Sequence, residues 1–252
     1  MKVEAHRGVS SESPENTLPA IELAIKQGYH MVEIDPDVTK DHRIVLLHDH
    51  HLKRTARTHD GNRIPDESLQ IDDVTYEEAL EYDFGLWFGK EFEGTKIPLL
   101  EEILVVAKKA GLKVKIDNKY ERFAPEDRRL LYDIIAPYQD VAGLTCFNLS
   151  SIVEALEFLP EVSFHYDGPV TEEILAEIAR MLPKDRITVW IPVQNKLTSW
   201  VKVRFADKEM ADWIKQHAKL GVWILSSYED YDFAESIGAD IVETNGLIKP
   251  KN

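Results

Sequence analysis

The chain has 252 residues, of which 44% are hydrophobic and 30% are charged, a composition that supports a sizeable core and argues against global disorder. Asp and Glu number 45 against 30 Lys and Arg, which gives a formal net charge of -15. This acidic balance argues against a protein that wraps nucleic acid or an anionic membrane surface. The single cysteine, Cys146, excludes an intramolecular disulfide and a metal site built from cysteines.

The N-terminus and the hydropathy of the chain predict a cytoplasmic protein. Met1 leads within a few residues into a predicted strand, without the apolar run and cleavage site of a signal peptide. No stretch approaches the ~20 apolar residues that span a bilayer. We therefore expect neither export nor stable insertion into a membrane.

Short β-rich runs alternate with longer amphipathic stretches along most of the chain. The first helix is predicted from Asn16 to Gln27, with Asn16 or Thr17 as its N-cap and Gly28 as its stop. Further helices are predicted near 101–110, 126–136, 149–159, 171–182, 207–219 and 229–237. Eight strands are predicted at Val3–Ala5, Met31–Ile34, Lys113–Ile116, Val141–Thr145, Val162–His165, Ile187–Ile191, Val222–Leu225 and Asp240–Val242.

This order of elements predicts an α/β fold with a parallel sheet. Strands that alternate with helices pair in parallel, and eight such units in about 250 residues match the size of a (β/α)8 TIM barrel. The alternative is an open doubly wound sheet, but no glycine-rich nucleotide-binding turn follows the first strand. We predict the barrel, as a single domain over residues 1–252.

One interval, between Asp35 and Lys113, is far longer than a single helix requires. It contains a predicted extra strand at Arg43–Leu47 and a short helix near Tyr76–Tyr82. We therefore predict an insertion after the second barrel strand, at roughly 43–97. Loops at the carboxyl ends of barrel strands shape the active site in this fold.

Three carboxylates are predicted to meet at the carboxyl ends of the strands. Glu33 and Asp35 are one residue apart on the second strand, so their side chains project to the same side. Asp117 follows the third strand. Carboxylates that share one rim repel one another, and hard oxygen ligands suit Mg²⁺ or Ca²⁺. The pattern predicts one divalent cation held by these acids; the alternative is that they pair with nearby lysines and arginines.

Two cations and two histidines are predicted at the same rim. Arg7 and Lys119 follow the first and third strands, and beside a divalent cation they would clamp phosphate oxygens. His6 ends the first strand and His48 follows the extra strand. Because both titrate near neutrality, they can remove and supply one proton in turn.

The ordered motifs of the N-terminal half carry a family resemblance. They are His6-Arg7-Gly8, Pro14-Glu15-Asn16-Thr17, Glu33-Ile34-Asp35, His48-Asp49, Leu52-x-Arg54-Thr55 and the stretch from Gly85 to Ile103. Together they resemble the glycerophosphodiester phosphodiesterase family, densely in this half and loosely beyond it. The resemblance implies a (β/α)8 barrel and metal-dependent hydrolysis of a small-molecule glycerophosphodiester to an alcohol and glycerol 3-phosphate.

The resemblance also implies roles for individual residues. Phe147 and Trp223 would wall the substrate pocket beside the glycerol, with ordinary barrel packing as the alternative. Carried over by position, the other roles are Glu33 and Asp35 as metal ligands, His6 and His48 as the acid–base pair, Arg7 as a phosphate contact and Lys119 as a lysine near the phosphate.

Three departures from the family pattern bear on substrate preference more than on reaction class. The family usually has Glu as its third metal ligand, where Asp117 stands here. The aromatic of the seventh strand is kept as Trp223, but the amide that follows in the family is replaced by Ser226. The Thr-Asp of the last strand becomes Glu243-Thr244-Asn245.

Other functions remain open at this point. The same motifs occur in a phospholipase D-like or cyclising phosphodiesterase that acts on lysophospholipids, and a non-catalytic phosphate-binding barrel is a further alternative. His48-Asp49-His50 prompts a metal-dependent amidohydrolase, but that class needs a His-x-His at the first strand, which here offers His6-Arg7. The choice between Mg²⁺ and Ca²⁺, the alcohol moiety, the assignment of acid and base, a cyclic phosphate intermediate and the oligomeric state are also open.

Overall fold

Eight parallel strands close into a barrel in the computed structural model, which describes residues 1–66, 68–193 and 207–250. The strands are β1 (Lys2–Ala5), β2 (Met31–Ile34), β3 (Pro36–Val38), β4 (Ile44–Leu46), β5 (Lys113–Ile116), β6 (Ala142–Cys146), β7 (Ser163–Tyr166), β8 (Ile187–Pro192), β9 (Lys219–Leu225) and β10 (Ile241–Thr244). Their order around the barrel is β1-β10-β9-β8-β7-β6-β5-β2. The predicted (β/α)8 barrel is confirmed.

Helices follow the strands along the described part of the chain. They are α1 (Leu18–Lys26), α2 (Tyr76–Ala79), α3 (Leu100–Ala110), α4 (Pro125–Ile135), α5 (Leu149–Phe158), α6 (Glu172–Met181), α7 (Lys208–His217) and α8 (Tyr228–Ser236). Short 3₁₀ turns lie at Ile71–Asp73, Lys90–Phe92, Asn118–Arg122, Ala136–Tyr138 and Lys184–Arg186. None of the described helices is long and apolar enough to cross a membrane.

The start of α1 decides between the two N-cap candidates of the sequence analysis, Asn16 and Thr17. Thr17 is the N-cap residue, and Pro19 lies in the first turn, where its missing N–H costs no hydrogen bond. Asn16 lies outside the helix with a φ of 56°. Its side chain is therefore available for a contact elsewhere in the molecule.

The segment between β2 and α3 builds its own small structure. β3 and β4 pair antiparallel, with Asp37 opposite Val45, as a two-stranded sheet apart from the barrel. A second cluster of buried apolar side chains, which includes Leu52, Ile71 and Phe84, is separate from the barrel core. This insertion thus carries a core of its own, while the assignment of the whole chain to one domain stays a prediction.

The centre of the barrel contains charged side chains. The ammonium of Lys115 donates to Glu4 Oε1 at 2.9 Å and to Glu243 Oε2 at 2.5 Å. It also lies 3.9 Å from the centre of the Trp190 ring. The ring needs Gly221, because a Cβ there would approach a Trp190 ring atom to 2.4 Å. Barrel interiors are usually filled by branched aliphatic residues, so this layer depends on internal charge compensation.

Burial sets the protonation of this layer. It raises the pKa of Glu4 to about 8. Burial acts in the same direction on Glu243, but Lys115 and His6 outweigh it and lower the pKa of that carboxyl. Lys115 is therefore the counter-ion of the Glu243 carboxylate and a hydrogen-bond donor to Glu4.

We expect Lys115→Met to lower the free energy of unfolding by about 3–5 kcal/mol, because a buried carboxylate left without its partner is strongly destabilising. A carboxyl whose folded-state pKa is raised loses stability as the pH rises through that value. The deficit in Lys115→Met should therefore be larger at pH 8 than at pH 5. Urea denaturation followed by circular dichroism measures both quantities.

The matched control is the triple variant Glu4→Gln, Lys115→Met, Glu243→Gln. It removes the charges together, so it should be more stable than Lys115→Met alone at pH 8. A single variant as stable as the wild type at both pH values would contradict the role of Lys115.

Candidate active site

The acids predicted from the sequence meet at the carboxyl end of the barrel. Glu33 lies on β2, Asp35 directly follows it, and Asp117 follows β5. One carboxylate oxygen from each lies within 4.8 Å of the others. Glu33 and Asp35 are buried, whereas Asp117 is half-buried. Strand ends that adjoin in the barrel thus place three carboxylates around one point.

Asp35 is the most heavily bonded of the three. Asn16 Nδ2 donates to its Oδ2 at 2.7 Å, and the Asp35 N–H donates to Asn16 Oδ1 at 3.0 Å. Lys119 Nζ donates to Oδ1, and Arg7 Nε lies 3.2 Å from Oδ2. Burial alone would raise the pKa of Asp35, but Lys119 and Arg7 lower it well below its usual range. The carboxylate is therefore ionised.

Glu33 has too little positive charge around it. Its Oε2 accepts the Arg7 N–H at 2.9 Å. Burial and then the carboxylates of Asp35 and Glu243 raise its pKa well above the usual range. Carboxylate oxygens that converge with uncompensated charge are the donor set that a hard divalent cation such as Mg²⁺ or Ca²⁺ prefers. The residues present therefore fit the predicted cation.

A second triad of donors shares Glu33. His6, Glu33 and Glu243 also bring one ligand atom each to within 4.8 Å of one another. The sequence analysis noted Glu243 only as a departure from the family pattern. The signal in the sequence was a charged residue directly after the apolar pair Ile241-Val242.

The loop after β1 is built around two residues in the left-handed region. Arg7 has a φ of 57° and Gly8 a φ of 78°; a Cβ on Gly8 would lie 2.6 Å from the Ala20 Cβ, so only glycine fits. The Arg7 carbonyl accepts the Asn16 N–H at 3.0 Å. These bonds hold the unfavourable backbone of Arg7 in place, and they aim its guanidinium at the acids.

The two predicted histidines each have one ring nitrogen held by a neighbour. His6 Nδ1 lies 2.7 Å from Asn245 Oδ1, which leaves Nε2 facing Glu33 at 3.9 Å. His48 Nδ1 lies 2.6 Å from Asp49 Oδ1. Burial lowers the pKa of His6, so its imidazole is neutral near pH 7.

His48 is brought to the same mouth by the insertion. The N–H of Leu47 donates to the Asp35 carbonyl at 2.9 Å, which fixes the residue before His48 against the end of β2. His48 lies close enough to Asp35 to contribute to the lowered pKa of that carboxyl. The insertion therefore supplies one of the two histidines, and the barrel supplies the other.

A further arginine joins the insertion to the barrel. Arg54 donates to the two oxygens of Glu15 at 2.8 and 2.7 Å and also donates to Asp49. Glu15 in turn accepts from Arg7 at 3.0 Å. The sequence analysis quoted Glu15 and Arg54 within motifs but gave them no role. Their partners are far apart in the sequence, so only the fold reveals the bridge.

The other predicted site residues lie near the rim. Lys119 Nζ donates to Asp35 and lies 3.2 Å from Asp117 Oδ1. Phe147 follows β6 and is 45% exposed, and Trp223 is half-buried on β9. Whether these two aromatic residues contact a substrate stays a prediction.

The fold is a closed barrel of parallel strands, and acids, histidines and cations meet at the carboxyl ends of these strands. A model of the glycerophosphoryl diester phosphodiesterase family matches residues 6–153, which is more than half of the chain. The chain belongs to this family, and the resemblance seen in its motifs is confirmed.

Individual relatives agree with the family match. YhdW of Bacillus subtilis is 33% identical over 159 residues, which cover 63% of this chain and 58% of YhdW; the match thus spans little more than half of that relative. A glycerophosphodiester phosphodiesterase of Bacillus altitudinis is 28% identical over 207 residues, 70% of this chain and 81% of its own. An Oleispira antarctica phosphodiesterase, solved in complex with the product sn-glycerol-3-phosphate, shares the fold with a TM-score of 0.77 at 23% identity, over 98% of this chain and 94% of that one.

We expect Asn16→Gly to lower the free energy of unfolding by about 1–3 kcal/mol, because it leaves polar groups of the buried Asp35 without partners. Asn16→Ala should cost about 1–2 kcal/mol more, since an alanine is strained at a φ of 56°. Chemical denaturation of the two variants separates the hydrogen bonds from the backbone strain. Equal stability of Asn16→Gly and the wild type would contradict this role.

Proposed function

We propose that this chain hydrolyses glycerophosphodiesters to an alcohol and glycerol 3-phosphate, with one divalent cation and two histidines. The observation that carries the proposal is the convergence of Glu33, Asp35 and Asp117 at the barrel mouth, in a chain of this family. The net charge of -15 is compatible with an anionic substrate, because Arg7, Lys119 and a bound divalent cation would together make the site locally positive.

Glu33, Asp35 and Asp117 would hold the cation. When bound, Mg²⁺ or Ca²⁺ would neutralise and orient the phosphate. Glu243 is the alternative third ligand, since it shares the second donor triad with Glu33. Its other oxygen is occupied by Lys115, and this favours Asp117.

Arg7 and Lys119 bind the non-bridging oxygens of the phosphate in this proposal. Both groups stay positively charged. Burial acts to lower their pKa values, but Asp35 and the neighbouring acids raise the pKa of both. Fixed cations of this kind stabilise the negative charge that builds up in the transition state. Both already lie against Asp35, so substrate binding requires no large movement to bring them to the site.

His6 and His48 exchange the protons. One removes the proton of the nucleophile while the other gives a proton to the leaving alkoxide. Asn245 and Asp49 each fix one ring nitrogen, which leaves the opposite nitrogen for this transfer. The family resemblance suggests the glycerol 2-hydroxyl as the nucleophile, with water opening the cyclic phosphate that results.

We expect the wild type, incubated with glycerophosphocholine and Mg²⁺ or Ca²⁺, to release choline and glycerol 3-phosphate, as chromatography of the products would show. His6→Ala and His48→Ala should each lower kcat by about 10²-fold or more with an unchanged circular dichroism spectrum. His59→Ala is the matched control, because His59 is exposed in the insertion.

Three results would contradict this proposal. Near-normal turnover in either histidine variant would show that the assignment of His6 and His48 as the acid–base pair is wrong. Faster cleavage of a lysophospholipid than of the deacylated diester would assign the chain to the phospholipase D-like alternative. No turnover of either substrate by the wild type would favour a non-catalytic phosphate-binding barrel.

We expect Asp117→Asn to weaken the binding of Mg²⁺ or Ca²⁺ by at least about 10-fold, measured by isothermal titration calorimetry without substrate. Glu243→Gln should weaken it less, and Asp60→Asn, on the exposed surface of the insertion, should leave it unchanged. The opposite order of the first two variants would make Glu243 the third ligand. Activity that survives exhaustive chelation would exclude an essential cation.

A further inference from the structure

A cavity of about 280 Å³ lies at the opposite end of the barrel from the acids. Lys2, Lys113, Ser163 and Lys219, the first residues of β1, β5, β7 and β9, line it. These strands alternate around the barrel, so the four residues form one layer, and this layer is exposed at the amino end of the barrel. Three of the four positions in this layer carry an ammonium group.

His165 forms part of the inner wall of this cavity. It is only 3% exposed, and its Nδ1 accepts the indole N–H of Trp190 at 3.0 Å. The proton of the neutral ring is therefore on Nε2. This nitrogen lies over Gly143, where a Cβ would approach it to 2.7 Å, and Gly143 lines the same cavity.

The Nε2–H of His165 faces the cavity as a donor without a protein acceptor. Among residues 1–66, 68–193 and 207–250, none accepts a hydrogen bond from it. Burial and then Lys115 lower the pKa of His165 well below its usual range, so the ring stays neutral. An acceptor that enters the cavity can therefore take a hydrogen bond from this N–H.

The lysines of the cavity keep their positive charge uncompensated. Lys113 donates to the main-chain carbonyl of Asp140, and Lys219 to that of Asp185; a neutral carbonyl does not cancel an ammonium charge. Within the described part of the chain, no carboxylate oxygen lies within 4.0 Å of Lys2, Lys113 or Lys219.

Two of the three acids that line the cavity have partners other than the three lysines. The carboxylate of Asp140 is paired with Lys108 at 3.1 Å, and that of Asp240 accepts the Leu220 N–H at 2.8 Å. The cavity therefore presents more positive than negative charge to whatever occupies it.

We propose that this cavity binds a small oxyanion, a phosphate group, through His165 Nε2–H and the ammonium groups of Lys2, Lys113 and Lys219. A volume of about 280 Å³ is at the lower end of ligand pockets and suits a compact anion. The layer of Glu4, Lys115 and Trp190 lies between this cavity and the catalytic mouth. The site is therefore separate from the one that carries the proposed function.

The test follows inorganic phosphate binding by NMR of ¹⁵N-labelled full-length protein, with the Trp190 indole N–H as the local probe. We expect a saturable shift of this signal. The double variant Lys113→Gln, Lys219→Gln should raise the Kd by at least about 10-fold, since it removes two charge-assisted contacts. Neither lysine belongs to the catalytic machinery, so hydrolysis of glycerophosphocholine should be unchanged.

Two control variants locate the effect. Lys90→Gln, on the surface of the insertion, should leave the shift intact, and so should Lys119→Gln at the catalytic mouth. Gly143→Ala should abolish the shift, because its Cβ would crowd His165 Nε2. If this variant does not fold, the double variant Lys113→Gln, Lys219→Gln keeps the test valid. Parallel titrations with glycerol 3-phosphate distinguish an esterified from a free phosphate.

The proposal is overturned if the Trp190 signal shifts linearly with phosphate concentration without saturating. It is also overturned if the shift is lost in Lys119→Gln and kept in the Lys113→Gln, Lys219→Gln variant. In that case phosphate binds only at the catalytic mouth.

Discussion

The buried carboxylate of Asp35 is the constraint on which the mouth of this barrel depends. It ties the end of β2 to the loop after β1 through Arg7 and Asn16, and to the end of β5 through Lys119. A buried carboxylate must be paired and hydrogen-bonded to remain ionised. The ionised Asp35 therefore holds Arg7, Asn16 and Lys119 in place around it. The positions of the cations that would meet a phosphate follow from this single requirement.

Two groups of acids in the same barrel are balanced in different ways. At the centre, Lys115 compensates Glu4 and Glu243 within the protein. At the mouth, Glu33 lies among other carboxylates, and its pKa is raised well above the usual range by burial and by those neighbours. The first arrangement is complete in itself and serves the fold. In the proposed function the second is completed by a cation from outside, and this difference would separate structure from function within a strongly acidic chain.

The barrel was predictable because strand and helix periodicities alternate regularly along the sequence. The gathering of the acids at its mouth was predictable because they follow the carboxyl ends of predicted strands. The roles of Asn16, Arg54 and Glu243 were not. Asn16 looks like a helix cap, but its left-handed backbone turns its side chain to Asp35. Arg54 acts through Glu15, which is 39 residues away, and Glu243 depends on the closure of the barrel. The strand Pro36–Val38 was missed because it is three residues long and begins with a proline.

The separate core of the insertion has a consequence for the dynamics of the site. Structures with their own buried cluster open as cooperative units, with a free energy below that of global unfolding. His48 and Arg54 belong to this unit, whereas Glu15 and His6 belong to the barrel. An opening of the insertion would therefore remove one histidine and break the Glu15–Arg54 bridge in a single event, while the acids stay in place. In the proposed mechanism, the local stability of the insertion rather than that of the barrel would set the fraction of molecules in which both histidines are in place.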